Sequence, residues 1–260
     1  MIAKKKDDKN RRIFGPAKYA AFHLLFARWL RHFGSAERYR YVTLGGTELR
    51  DVQNLWFIDP NLVTQATSYE IDPVRARIAA ETSRKLATAD PPIEVQTSRG
   101  NLFDYVREDD DLPAILFLDL EGVCAAGDFH IQFASMFQDG RLREDDVLFV
   151  TSYLGRNLGW NRIYQGLDAE FRILQLHDAE SKKHWYRRAH PSFTLYRGLT
   201  RAGVQSELAV RCFGCVEYRD KSPMGLYGYS FAEGSTVFSR LVKEAPYWHV
   251  KHGALERPVL

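Results

Sequence analysis

The sequence predicts an α/β protein built on a doubly wound, mostly parallel sheet, and three observations predict it. Short strand-like segments alternate with amphipathic helical ones from residue 39 to residue 152, the pattern of a parallel sheet with helices on its faces. One segment, Ala114 to Leu120, is apolar throughout except for Asp119, as in a strand buried on both sides. The strand ends carry glycines or acidic and amide side chains: Gly45-Gly46, Glu70, Gly100-Asn101 and Asp119. Open parallel sheets bind ligands just past such ends.

Residues 1–38 form a basic tail and an N-terminal helix. Residues 1–40 hold eleven Lys or Arg against three Asp or Glu, including Lys4-Lys5-Lys6 and Arg11-Arg12. Such blocks form a solvated tail or dock on phosphates. Gly15-Pro16 opens a helix in which Phe22, Leu25, Phe26, Trp29 and Phe33 recur at spacings of three and four, and Gly34 closes it. A strand follows at once, so the stripe is expected to face a core. Lys18, His23 and Arg28 interrupt its apolar character, and no small-residue cleavage site follows, so it does not read as a signal peptide.

The first strand is Tyr39 to Leu44, ending in Gly45-Gly46. A helical or irregular stretch from Val52 to Leu62 leads to the second, Ala66 to Ile71. Asp72-Pro73 then caps and opens a helix through Leu86. The third strand, Ile93 to Thr97, ends at Arg99-Gly100-Asn101, and a short helix near Leu102 to Val106 leads into an acidic loop. After the fourth strand come a helix from Phe129 to Phe137 and a fifth strand, Asp146 to Ser152. Val210 to Tyr218 and Gly225 to Phe231, joined by a turn, read as a terminal antiparallel hairpin.

The chain of 260 residues, 45% hydrophobic, is long enough for one well-buried core and short for two enzymatic domains. No run of eighteen apolar residues exists to span a bilayer. Three cysteines, an odd number, suit a reducing, cytoplasmic setting. Cys212 and Cys215 form a CxxC without a second one. A zinc site would have to recruit His184 or His190, and two small residues in a hairpin strand are the expectation. Asp145 and Asp146 fall at the start of the fifth strand, away from the ligand edge, so no metal is expected.

The segments Val42-Thr43-Leu44-Gly45-Gly46, Ser68-Tyr69-Glu70-Ile71-Asp72, Gly100-Asn101-Leu102-Phe103 and Phe117-Leu118-Asp119-Leu120 resemble the four successive motifs of class I S-adenosylmethionine-dependent methyltransferases. The resemblance covers roughly residues 39–155 and, more loosely, 205–232. It implies a Rossmann-like seven-stranded sheet closed by the antiparallel hairpin, occupying residues 39–245, with a C-terminal tail over 246–260. It also implies S-adenosyl-L-methionine as cofactor. The Gly-rich turn (Gly45, Gly46, Thr47) would lie by the methionine part, Glu70 with Ile71 by the ribose, and Asn101 with Leu102 by the adenine. Asp119 would face the methyl group and the substrate. A base, where one is needed, would be Asp119 or Glu121.

Two departures stand out. Thr43 and Thr47 occupy the neighbourhood where the family has an acidic residue and a third glycine. The fourth motif, Asp119-Leu120-Glu121-Gly122, is not the Asp/Asn-Pro-Pro-aromatic box that methylates base amines. A basic-aromatic insertion at about 156–204, densest over 182–201 around His184-Trp185-Tyr186-Arg187-Arg188, fits a phosphate-bearing, stackable acceptor such as a nucleic acid. A solvated helix fits it equally. Other readings fit the same residues. These are methyl transfer to a small molecule or protein, a non-catalytic member acting through a protein partner, and an NAD-dependent oxidoreductase. The last lacks the Gly-x-Gly-x-x-Gly fingerprint.

Overall fold

The structure is a computed structural model. It describes residues 15–32, 38–44, 46–89, 92–107, 112–120, 128–154, 175, 177–219, 222–237, 241, 246–251 and 254–256. Among them run helix α1 (Pro16–His32), strand β1 (Tyr39–Thr43), α2 (Arg50–Ile58), β2 (Val63–Glu70), α3 (Pro73–Leu86), β3 (Val95–Arg99), a 3-10 turn (Leu102–Asp104), β4 (Ala114–Asp119), α4 (Phe129–Gln138), β5 (Val147–Tyr153), α5 (Ala179–Ala202), β6 (Leu208–Arg219), β7 (Pro223–Glu233), β8 (Tyr247–Lys251) and β9 (Ala254–Glu256).

The strands form one sheet in the order β3-β2-β1-β4-β5-β7-β6-β8-β9. Strands β1 to β5 are parallel to one another, and β7 enters antiparallel between β5 and β6. The chain reverses direction across the sheet between β1 and β4, which makes their carboxyl ends the ligand crevice. The expected hairpin is present. Among the described residues the sheet has nine strands rather than seven, because β8 pairs parallel with β6 and β9 pairs antiparallel with β8. Both lie in the segment read from sequence as a tail.

Two apolar layers sandwich the sheet. On one face α1 buries Phe22, Phe26 and Trp29 against Phe117, Phe149 and Phe213. Phe22 meets Phe117 edge-on at 5.1 Å, and Trp29 meets Tyr39 at 5.0 Å. Each such side chain stabilises by about 1.5–3 kcal/mol on burial, so α1 belongs to the core. On the other face α4 and α5 cover Leu116, Leu118, Val150 and Tyr227 with Phe133, Met136, Leu195 and Leu199. Gly198 lets the two helices approach, since a Cβ there would fall 2.7 Å from that of Phe133.

A bulge between Cys212 and Gly214 resets the alternation of β6. Cys212 and Cys215 thereby face the α5 layer, while Phe213 and Val216 face the α1 layer. The Phe213 ring then lies over Gly228 of the neighbouring strand, where a Cβ would sit 2.3 Å from ring carbon Cε2. Gly228→Ala must displace Phe213 from its edge-on contact with Phe149 at 5.7 Å. Overpacking of this kind costs about 1–3 kcal/mol, and for a chain of this size the melting temperature is expected to drop by roughly 2–12 °C. An unchanged melt would show that the ring has somewhere else to go.

Candidate active site at the carboxyl edge of the sheet

Each strand of the left half delivers one of the expected residues to the same edge. After β1, Gly46 has φ +65°, a left-handed conformation that glycine adopts without strain, and it starts the turn into α2. Gly45 lies outside the described residues. Thr47 is buried, and the Thr82 hydroxyl of α3 donates to its carbonyl at 2.8 Å. That bond ties the turn to the helix beside it.

Glu70 ends β2 and is 7% exposed. Its Oε1 accepts the Asp72 N–H at 3.1 Å. The cap of α3 is Asp72 itself, which accepts from the Val74 and Arg75 amides. Glu70 is therefore fixed at the strand end without being needed as a helix cap. Ile71, the next residue, is 64% exposed and presents an apolar surface beside that carboxylate.

After β3, Asn101 caps the 3-10 turn, its side-chain oxygen accepting the Phe103 N–H at 3.1 Å. Its side-chain nitrogen, a donor, takes no part in that cap. Leu102 is fully buried, side chain and backbone alike, in the α4–α5 layer, which leaves Asn101 as the exposed part of that pair.

At the end of β4, Asp119 is engaged on both oxygens. Oδ2 pairs with the Lys18 ammonium of α1, and Oδ1 accepts the Thr151 hydroxyl of β5 at 2.8 Å. Lys18 and Asp119 are 12% and 15% exposed, partly open to the edge. Glu121 lies outside the described residues. Sequence reasoning missed Lys18, which is 101 residues from its partner and reads there as a mere interruption of an apolar stripe.

It also missed Asp51. This carboxylate, in the first turn of α2, is fully buried. Its Oδ2 accepts the Tyr41 phenol at 2.8 Å and the Thr43 hydroxyl at 2.5 Å, both from β1. Burial pushes the Asp51 carboxyl above its usual range, against the pull of the two hydroxyls. Burial first, and then the Asp51 charge, holds the Tyr41 phenol well above its own range.

The remaining sequence candidates fall elsewhere. Asp146 lies at the opposite end of the sheet, paired with Arg107 at 2.8 Å, as its place at the start of β5 implied. Burial pushes the Cys212 thiol up to about 12, which leaves a protonated, inert sulfur. His190 is buried with Nε2 at 2.6 Å from the Ser152 hydroxyl. Most of α5 from Ala189 to Leu199 is core, so the basic-aromatic segment is in good part a structural helix. Among the described side chains its exposed basic residues are Arg197 and Arg201. They face His130 of α4, which burial and these two cations keep below the usual histidine range. The side chains of 183–188, the basic tail to residue 14 and the loop 155–174 lie outside the described residues.

A parallel sheet in the order 3-2-1-4-5, continued by an antiparallel seventh strand inserted beside the sixth, defines the fold of the class I S-adenosylmethionine-dependent methyltransferases. In the dinucleotide-binding fold the sixth strand follows the fifth directly and in parallel; here β7 separates them. The structure is similar to a Listeria monocytogenes protein assigned to that class. The two are 9% identical with a TM-score of 0.50, and the match covers 92% of this chain and 66% of the other. It also matches an S-adenosylmethionine-dependent methyltransferase from Clostridium acetobutylicum at 9% identity and TM-score 0.47, covering 82% of this chain and 92% of that one. At such identity the likeness is one of fold. No family model and no curated protein matches the sequence. Among the described residues no helix is long and apolar enough to cross a membrane.

Proposed function

We propose that the chain binds S-adenosyl-L-methionine across the carboxyl ends of β1 to β4 and transfers its methyl group. The observation that carries this reading is the convergence, on one edge, of the turn at Gly46, the carboxylate of Glu70, the amide of Asn101 and the carboxylate of Asp119. Glu70 would accept both ribose hydroxyls, since a carboxylate is acceptor-only and bidentate. Ile71 would pack on the nucleoside, and Asn101 would meet the adenine edge, with the buried Leu102 anchoring it from behind. Gly45, Gly46 and Thr47 would carry the amino-acid end. The cofactor supplies a reactive sulfonium methyl when bound; the protein aligns the acceptor for in-line attack.

Asp119 would border the methyl group. As a base it would have to give up Lys18, so alignment and charge placement suit it better, with Glu121 the second candidate for proton removal. The favoured acceptor is a nucleic acid, supported by the basic residues preceding α1, by Lys18 at the edge, and by Arg197 and Arg201 on α5. Small molecules and proteins are the other acceptor classes.

The test is calorimetric titration of the purified chain with S-adenosylmethionine, its demethylated product and NAD, followed by transfer of labelled methyl to RNA, DNA, protein and small-molecule extracts. Micromolar binding of the first two and not of NAD is expected, with label entering one acceptor class. Binding without transfer to any class would favour a second reading, a cofactor-binding protein acting through a protein partner. The full engagement of Asp119 by Lys18 and Thr151 is the feature that supports it. Binding of none of the three would sink both.

A further inference from the structure

Asp51 is a buried carboxylate that the roles above leave unused. It stands where the chain leaves the turn after β1, over the carboxyl half of that strand, with Tyr41 and Thr43 donating to one of its oxygens. The other oxygen, Oδ1, is buried and has no hydrogen-bond partner among the described residues. The hydroxyl of Thr47, in the turn itself, is in the same condition. An ionised carboxylate in such a place has exchanged its water for two hydroxyls and the amides at the start of a helix. These donors favour the charged form, yet burial outweighs them and raises the pKa. The protein holds the acid there in spite of that, at the point where strand order reverses.

A buried negative charge beneath a ligand-facing turn has one evident use, since its field reaches the ligand through a low-dielectric layer with little screening. We infer that Asp51 is the counter-charge for the cationic, amino-acid end of the cofactor, acting from under the turn at Gly46–Leu49. The inference rests on the cofactor reading above and adds a residue to it. Thr43, which cannot itself carry charge, serves to orient this carboxylate. The negative charge at this corner of the site thus comes from helix α2, not from β1.

The test compares two ligands on wild type and on Asp51→Asn. S-adenosylhomocysteine carries the ammonium-bearing tail; 5′-deoxy-5′-methylthioadenosine has the same nucleoside without it. Asp51→Asn keeps a side-chain oxygen for Tyr41 and Thr43 and removes the charge. The expected result is at least tenfold weaker binding of S-adenosylhomocysteine, with methylthioadenosine held within twofold of wild type. The unchanged second ligand is also the control that the variant is folded. If wild type binds both ligands and the variant weakens both equally, or neither, Asp51 is structural and the inference falls while the cofactor reading stands. If wild type binds neither ligand, the cofactor reading itself fails and takes the inference with it.

Discussion

Glu70→Ala is expected to weaken S-adenosylhomocysteine binding by roughly a hundredfold while leaving the protein folded. The carboxylate is held at the end of β2 by the Asp72 amide at 3.1 Å, so it meets a ribose already oriented. A hydrogen bond to a charged group contributes about 1.5–3 kcal/mol. Loss of two such bonds, even at the low end of that range, is about 3 kcal/mol, or two powers of ten in affinity. The fold should tolerate the change because Asp72 caps α3 with its own side chain, accepting Val74 and Arg75 amides at 2.8 and 3.0 Å. Calorimetry on wild type and variant, with a thermal melt beside it, separates the two effects. A change in affinity under threefold would remove Glu70 from the site.

The second large effect is one of stability, at the far end of the same sheet. Asp146 is fully buried and holds three donors: Arg107 at 2.8 Å, the Ala114 amide at 2.7 Å and the Arg143 amide at 2.9 Å. Together these fix the starts of β4 and β5 and the loop carrying Arg107. Asp146→Ala leaves a mostly buried guanidinium and two amides without their acceptor. Breaking one partner of a buried pair costs about 3–5 kcal/mol, a large part of the 5–15 kcal/mol typical of a folded domain. Urea denaturation should show a matching fall in midpoint at unchanged slope. A loss below about 1 kcal/mol would mean that water replaces the carboxylate freely, against the geometry.

The parts of the fold that sequence could reveal are those where burial leaves a periodic trace. Ala114–Asp119 is apolar because both of its faces are covered, and α1 repeats every three or four residues because one face is. Strands β8 and β9 leave no such trace. They lie at the sheet edge, where Trp248 and His249 are only half-buried, and a short run mixing aromatic and polar residues resembles a tail.

The same contrast holds for the site. Glu70 and Asn101 are legible because a strand end fixes where a residue must point. Lys18 and Asp51 are not, since each is one polar residue among many in a helix, and their meaning depends on contacts with other elements. Asp51 touches Tyr41 and Thr43 only because β1 and α2 fold back on each other. Thr43 was a visible departure from the acidic pattern, and its hydroxyl is one of the two that donate to Asp51.

Helix α1 has a consequence for how the protein is made. It packs on β6, β7 and β8, with the Arg28 guanidinium donating to the Phe213 carbonyl 185 residues away and lying 5.2 Å from the Trp248 ring. During synthesis this helix emerges early, while its docking strands are still untranslated. At about 5–20 residues per second, the stripe of Phe22, Phe26 and Trp29 has Tyr39 of β1 at once and Phe117 and Phe149 of β4 and β5 some seconds later, but waits on the order of ten seconds or more for Phe213 of β6. Until then part of that aromatic surface stays uncovered on the nascent chain. Productive yield in a cell should depend on whatever shields that surface until the last strands arrive.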